Sequence, residues 1–154
     1  MPWLVPLGVV LIVIAAVRPQ WRARIAVSLI LVWVMWGASD LLQHVYMRAR
    51  PLDWVVKHET AFSFPSTHAT LAVAFYGYWA YMLKRSELPA RTALVASELL
   101  TALVIAILWS RLALGAHYPT DLLGGVLLGT AGIGVALSVC AFLRIRLYPG
   151  FLGE

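Results

Sequence analysis

Between Ser110 and Asp121 the chain reads Ser-Arg-Leu-Ala-Leu-Gly-Ala-His-Tyr-Pro-Thr-Asp, an arginine, a histidine and an aspartate in one polar island between two long apolar runs. Pro119 predicts a helix opening near Thr120, because proline suits the first turn of a helix and disfavours helix at the residue before it. Asp121 then falls in that first turn with His117 just outside it, brought together by turn geometry and not by a shared helix face. A carboxylate so placed accepts a hydrogen bond from one ring nitrogen and orients the other, and an oriented neutral imidazole is a nucleophile or a general base. A second polar stretch, Pro65-Ser66-Thr67-His68, stands just before another apolar run. Ser66 and Thr67 are good N-cap residues, so the free N–H groups and positive dipole end of that helix face the same compartment as His117, where an anion such as phosphate is favoured.

A phosphate monoester carries about two negative charges at neutral pH, and the guanidinium forks of Arg50 and Arg111, with helix N–H groups, match its oxygens. Two histidines then divide the work. One attacks phosphorus while the other protonates the departing oxygen, and the covalent phosphohistidine is hydrolysed afterwards. Arginine and amide donors stabilise the charge that spreads over the transition state.

The elements that must position these groups are membrane helices. An apolar fraction of 62% with only 12% charged residues and a mean hydropathy of +0.83 exclude an ordinary soluble domain. A bilayer core about 30 Å thick needs roughly 20 apolar residues per helix, so 154 residues hold about five spans in a single domain, 1–154. The apolar runs fall at about 2–17, 25–43, 66–83, 92–109 and 120–143. The first is short and lacks a positively charged start, which reads as a span and not as a cleaved signal peptide. Trp21 serves as an interfacial anchor, and the lone Cys140 excludes a disulfide framework or a thiolate zinc site.

The net charge of +5 does not imply nucleic acid, because the cations cluster at the ends of apolar runs. Alternating the five spans puts residues 18–24, 84–91 and 144–146, with eight of the twelve Lys and Arg residues, on one side; the positive-inside rule makes it the cytoplasm. Every histidine (His44, His58, His68 and His117) falls on the opposite face with Arg48, Arg50, Lys57, Arg111 and Asp121. The one long connection, His44 to Phe64, is apolar-rich from Leu52 and suits a membrane interface and the entrance for an amphipathic substrate. Gly124, Gly125, Gly129, Gly132 and Gly134 carry small-xxx-small spacings that permit close helix approach, within the bundle or in a homo-oligomer. Glu98 is expected to snorkel to the cytoplasmic interface or to pair with Arg91.

At these residues the sequence resembles the type 2 phosphatidic acid phosphatase superfamily, the lipid phosphate phosphatases that share a helical core with vanadium haloperoxidases. The family pattern has three blocks: Lys, six residues, Arg-Pro; then Pro-Ser-Gly-His; then Ser-Arg, five residues, His, three residues, Asp. The third is complete as Ser110, Arg111, His117 and Asp121. The second is Pro65, Ser66, Thr67 and His68, with Thr67 where glycine is usual. The first keeps Arg50-Pro51, with Gln43 at its lysine position. The resemblance covers about Gln43 to Asp121 with the flanking helices, a catalytic core of about 43–143. It implies His117 as nucleophile, Asp121 as its orienting partner and His68 as general acid, with Arg50, Arg111, Ser66, the Thr67 amide and Gln43 at the phosphate. It also implies a metal-independent reaction without cofactor.

The expected protein is an all-α polytopic membrane bundle, in the bacterial inner membrane with its site facing the periplasm or cell exterior. It removes a terminal phosphate from a lipid phosphate or diphosphate, with isoprenyl diphosphates, phosphatidic acid and phosphatidylglycerol phosphate as substrates to weigh. Thr67 keeps the backbone donor of glycine while narrowing the pocket; Gln43 removes one expected positive charge, which Arg48 or Lys57 would restore. A catalytically weak lipid-phosphate binding or scaffold protein is the competing reading. Zinc held by histidines with Asp53, Glu59 and Asp121 lacks the usual ligand spacing, and a haloperoxidase fits poorly with a site that opens beside lipid. Five spans put the N-terminus outside, whereas many family members carry an additional first helix.

Overall fold

The computed structural model describes residue 18 and residues 21–52 and 61–148. Four helical stretches account for most of them. Helix α1 is Arg22–Tyr46. Helix α2 spans 67–84 without a break and joins an α-helical Thr67–Ala72, a π-helical Val73–Gly77 and an α-helical Tyr78–Lys84. Helices α3, Ala90–Ala113, and α4, Pro119–Phe142, follow. The apolar run expected at 2–17 lies outside the described residues. Among the described residues there is no strand, and three helices, α1, α3 and α4, are long and apolar enough to cross a membrane. At 24 or 25 residues and 1.5 Å per residue each is about 36 Å long, more than a bilayer's hydrocarbon core.

The bundle is turned inside out relative to a soluble one. Large apolar side chains point outward, among them Ile30, Trp33, Leu99, Ile105, Trp109, Leu127 and Val135, while Ser28, Ser39, Gln43, Thr70 and Ser97 are buried. Lipid is as apolar as these outward side chains, so contacts between helices come from small residues and interhelical hydrogen bonds. Ser97 on α3 donates to the Ala80 carbonyl on α2 at 3.0 Å, and the Trp79 indole on α2 donates to Ser28 on α1 at 3.0 Å.

Helix α2 is the centre, packed against α1, α3 and α4. Its approach to α4 runs over glycines. A Cβ on Gly125 would lie 2.7 Å from the Ser66 carbonyl oxygen and 2.7 Å from the Ala69 Cβ, and one on Gly129 would lie 2.8 Å from the Thr70 carbonyl oxygen. Much of the glycine stripe is thus used inside the bundle; Gly134 alone of the five faces open space.

At the end remote from the histidines, Arg24 donates through Nε to the Leu147 carbonyl and the Tyr81 and Tyr148 hydroxyls lie 3.1 Å apart. Trp21, expected as an interfacial anchor, stacks on Trp79 with ring centroids 5.9 Å apart. Glu98 pairs with Lys84 at 3.0 Å and not with Arg91, because α2 and α3 form an antiparallel pair that brings the end of one beside the third turn of the other.

The helix directions bring the end of α1, the start of α2, the end of α3 and the start of α4 to one end of the bundle. Ser110 and Arg111 belong to the last turn of α3, which runs four residues beyond the expected end at Trp109. Pro119 is the first residue of α4, as its ring predicts. The Ser110–Asp121 stretch is therefore the corner between two helices, turned at Gly115, whose φ of 65° is the left-handed conformation glycine adopts freely.

Candidate active site

His117 sits in that corner, 4% exposed. Its Nδ1 lies 2.9 Å from the Ser63 carbonyl oxygen and its Nε2 lies 3.2 Å from Nη1 of Arg50. A carbonyl only accepts and a guanidinium only donates, so these partners fix the tautomer of the neutral ring: Nδ1 carries the proton and Nε2 the lone pair. Arg50 is held in place from two sides, donating from Nε to the Ala61 carbonyl at 2.8 Å and from Nη1 to the Ala116 carbonyl at 3.2 Å.

Asp121 stands beside the ring as expected, but a second acceptor is nearer to Nδ1. The Asp121 carboxylate stands 3.5 Å from Nδ1 of His117, outside hydrogen-bond length, and the orienting acceptor is the Ser63 carbonyl. The reason is competition for its oxygens. Oδ1 accepts from Nη1 of Arg48 at 2.8 Å, and Oδ2 accepts the Tyr118 N–H at 2.9 Å, capping α4. Arg48 also donates to Thr120 Oγ1 at 2.7 Å and lies over the Tyr118 ring, 4.3 Å from its centroid. Asp121 thus anchors the start of α4 and sets a negative charge beside the imidazole, and Arg48 joins the site through it.

Burial, more than any neighbour, lowers the His117 pKa; the Arg50 and His68 charges lower it too, Asp121 and the Ser63 carbonyl oppose the shift, and the net value is about 4. An unfolded histidine titrates near 6.5, so between those values the unfolded chain binds a proton that the folded chain refuses. Stability is full above about pH 6.5 and is lost as pH falls toward 4. Thermal unfolding in detergent between pH 7 and pH 4 should show a falling Tm that flattens in a His117→Gln variant, and a ring carbon resonance of His117 should titrate near 4.

The start of α2 supplies the second half of the site. Ser66 caps the helix, its Oγ accepting the Ala69 N–H at 3.4 Å, and its own N–H donates to the Asp121 carbonyl at 3.0 Å. That bond joins the first turns of α2 and α4. His68, half-buried in the first turn of α2, is near enough for its charge to act on His117. Arg111 is half-buried at the end of α3 and donates from Nε to Ser110 Oγ at 3.3 Å. The other two histidines stand apart: His44 is exposed on α1, against the Asp40 carbonyl at 2.8 Å, and His58 lies outside the described residues, as do Lys57, Asp53 and Glu59.

Gln43 is placed differently from a phosphate ligand. It is 5% exposed, and Nε2 donates to the Pro65 carbonyl at 2.9 Å and to Thr67 Oγ1 at 2.9 Å. Both amide hydrogens are committed to the protein. The Thr67 hydroxyl, expected to narrow the pocket, is turned toward Gln43 and toward Ser39 Oγ, 3.0 Å away. Ser39 and the Ser63 carbonyl lie outside every sequence motif of the site. Ser39 has a legible signal, since it sits one turn from Gln43 and pairs two polar side chains on one face of an apolar helix; a backbone carbonyl has none.

Membrane-length helices, with histidine, arginine and a capped helix start gathered at one end, define a multi-pass membrane protein. The chain belongs to the PAP2 superfamily, whose family model matches residues 23–145. It is 38% identical over 106 residues to phosphatidylglycerophosphatase B of Bacillus subtilis (strain 168), covering 65% of this chain and 52% of that protein. It is 31% identical over 127 residues to a protein of Escherichia coli (strain K12) named as an undecaprenyl-diphosphatase, covering 81% of this chain and 60% of that protein. The chain therefore spans between half and two thirds of the length of these curated relatives. Its fold matches the crystal structure of a transmembrane PAP2-type phosphatidylglycerolphosphate phosphatase from Bacillus subtilis, with a TM-score of 0.79 and 26% identity over 95% of this chain and 72% of that one.

Proposed function

We propose that this protein is a membrane lipid phosphatase that removes a terminal phosphate from a lipid phosphate or diphosphate through a phosphohistidine. The observation that carries the reading is the presentation of His117: Nδ1 is held by the Ser63 carbonyl and the lone pair of Nε2 faces Arg50 at 3.2 Å. Nε2 attacks phosphorus as the bond from phosphorus to the lipid oxygen breaks, and His68 gives that oxygen its proton. Water then attacks the phosphohistidine with His68 as base, releasing phosphate and restoring both rings. Arg50 shifts its hydrogen bond from Nε2 to a phosphate oxygen, and Arg111 with the Ser66–Thr67 turn shares the charge. A five-span topology with the site on the periplasmic face of a bacterial inner membrane fits the charge distribution of the chain.

The test is phosphate release by the purified protein in detergent from isoprenyl diphosphate, phosphatidic acid and phosphatidylglycerol phosphate. In kcat/KM, which reports phosphoryl transfer to His117 and not the later hydrolysis, a His68→Ala variant should lose about 100-fold or more on these lipids and far less on an aryl phosphate, whose leaving oxygen has little need of a proton. Equal losses on both would remove His68 from the acid role. Since His117 stays neutral to about pH 4, the acid limb of kcat/KM set by the nucleophile should lie near that value and not near 6.5.

A weak lipid-phosphate binder is the second reading, favoured by one observation: Gln43 and Arg48 are both committed within the protein, which reduces the charge offered to a ligand. Saturable binding of a labelled lipid phosphate without turnover would establish it.

A further inference from the structure

The two departures from the family pattern, Gln43 and Thr67, touch each other. The contact belongs to a larger arrangement around one peptide group, that between Pro65 and Ser66. Its carbonyl oxygen accepts from Gln43 Nε2 on α1 at 2.9 Å, and its N–H donates to the Asp121 carbonyl on α4 at 3.0 Å. A peptide group is rigid and planar, so fixing both ends fixes the orientation of the turn that opens α2. One residue on, Thr67 Oγ1 takes the second Gln43 hydrogen at 2.9 Å and meets Ser39 Oγ at 3.0 Å. Ser39 is fully buried and Gln43 nearly so.

We infer that Gln43, Thr67 and Ser39 form one uncharged positioning unit that aims the opening turn of α2, with its first N–H groups and His68, at the phosphate held by His117. Gln43 is a positioning residue and not a phosphate ligand. The inference rests on the phosphatase reading of the site. It accounts for the loss of the lysine and of the glycine together: a threonine side chain at 67 brings a half-buried hydroxyl that needs a partner, and an amide at 43 supplies the donor without burying a charge. The positive charge at this end then comes from Arg50 and Arg111, with Arg48 balancing Asp121.

The experiment compares wild type, Gln43→Ala, Thr67→Val and the double variant in detergent. It measures kcat and KM on phosphatidic acid, the inhibition constant of inorganic phosphate, and hydrogen exchange at the amides of residues 66–69. Each single variant should lower kcat about tenfold with KM and phosphate inhibition little changed, because a buried polar partner is left unmatched. The double should be no worse than the poorer single, and exchange at residues 66–69 should quicken in all three. Ser39→Ala, a milder change, should shift the same quantities in the same direction. Independent, multiplying losses, a Gln43→Ala effect confined to KM and phosphate inhibition, or a gain of turnover in Gln43→Lys would overturn the inference. If wild type turns over none of the lipid phosphates, the phosphatase reading fails by itself. Exchange then decides the positioning unit, and unaltered protection of residues 66–69 in Gln43→Ala overturns it.

Discussion

Replacing His117 by alanine should cut lipid phosphate turnover by about four orders of magnitude or more, the scale on which removal of a covalent nucleophile acts. The variant loses the atom that bonds to phosphorus while the remaining parts of the site keep their own supports. Arg50 still donates to the Ala61 and Ala116 carbonyls, and the start of α4 is still capped by Asp121. Binding of inorganic phosphate should therefore survive in His117→Ala within a few fold, which separates loss of chemistry from loss of fold. The Ser63 carbonyl gives up its imidazole donor, a cost of about 1 kcal/mol. In wild type, a brief incubation with a radiolabelled lipid phosphate should trap label on the protein that is stable to alkali and released by acid, as a phosphoramidate bond requires. That label should vanish in His117→Ala and accumulate in a variant whose hydrolysis step is slowed. Full turnover in the alanine variant, or label on another residue, would sink the phosphohistidine mechanism.

Much of this site was legible before the fold was known, and the parts that were not share a cause. Side-chain type and helix signals are written in the sequence. Pro119 announced α4, Ser66 announced the cap of α2, and the apolar runs announced the helices that carry His117 and His68 to one end. Of the five expected spans, three are helices long and apolar enough to cross a membrane; the run at 66–83 is not among them, and the run at 2–17 lies outside the described residues. What a sequence does not display is which of several chemically equivalent partners wins. Asp121 and the Ser63 carbonyl both suit Nδ1–H, and the choice fell to the carbonyl because Arg48 and the Tyr118 N–H had already taken the carboxylate. Gln43 occupies a motif position where a lysine would face a phosphate, whereas its contacts depend on Thr67 Oγ1 lying 2.9 Å away on another helix. Small-residue spacing on the last helix likewise announced close packing without saying with what.

That packing carries the largest structural effect to be expected from a single methyl or isopropyl group. Gly125 lies where α4 crosses the first turn of α2, and a side chain there meets the Ser66 carbonyl oxygen and the Ala69 Cβ, each at 2.7 Å. Neither neighbour yields easily. The Ser66 carbonyl accepts both the Thr70 N–H at 2.9 Å and the Thr70 hydroxyl at 3.0 Å, and Ala69 is fully buried in the helix. The two helices must then separate by several tenths of an ångström at the level of the Ser66 N–H to Asp121 carbonyl bond, which sets the distance between the two halves of the site. Gly125→Val should cost about 2–3 kcal/mol or more of stability, as overpacking of a tight core does, and should reduce turnover at least tenfold even in protein that remains folded. Gly134→Ala is the matched comparison on the same helix: its Cβ meets nothing within 4 Å, and alanine favours helix by up to about 1 kcal/mol over glycine. It should leave turnover and Tm unchanged or raise Tm slightly. If Gly134→Ala were as damaging as Gly125→Val, the outward part of the stripe would be packed against a second copy of the chain, and cross-linking in membranes would show it. If Gly125→Val were silent, the first turns of α2 and α4 would not be in the contact that aligns His68 with His117.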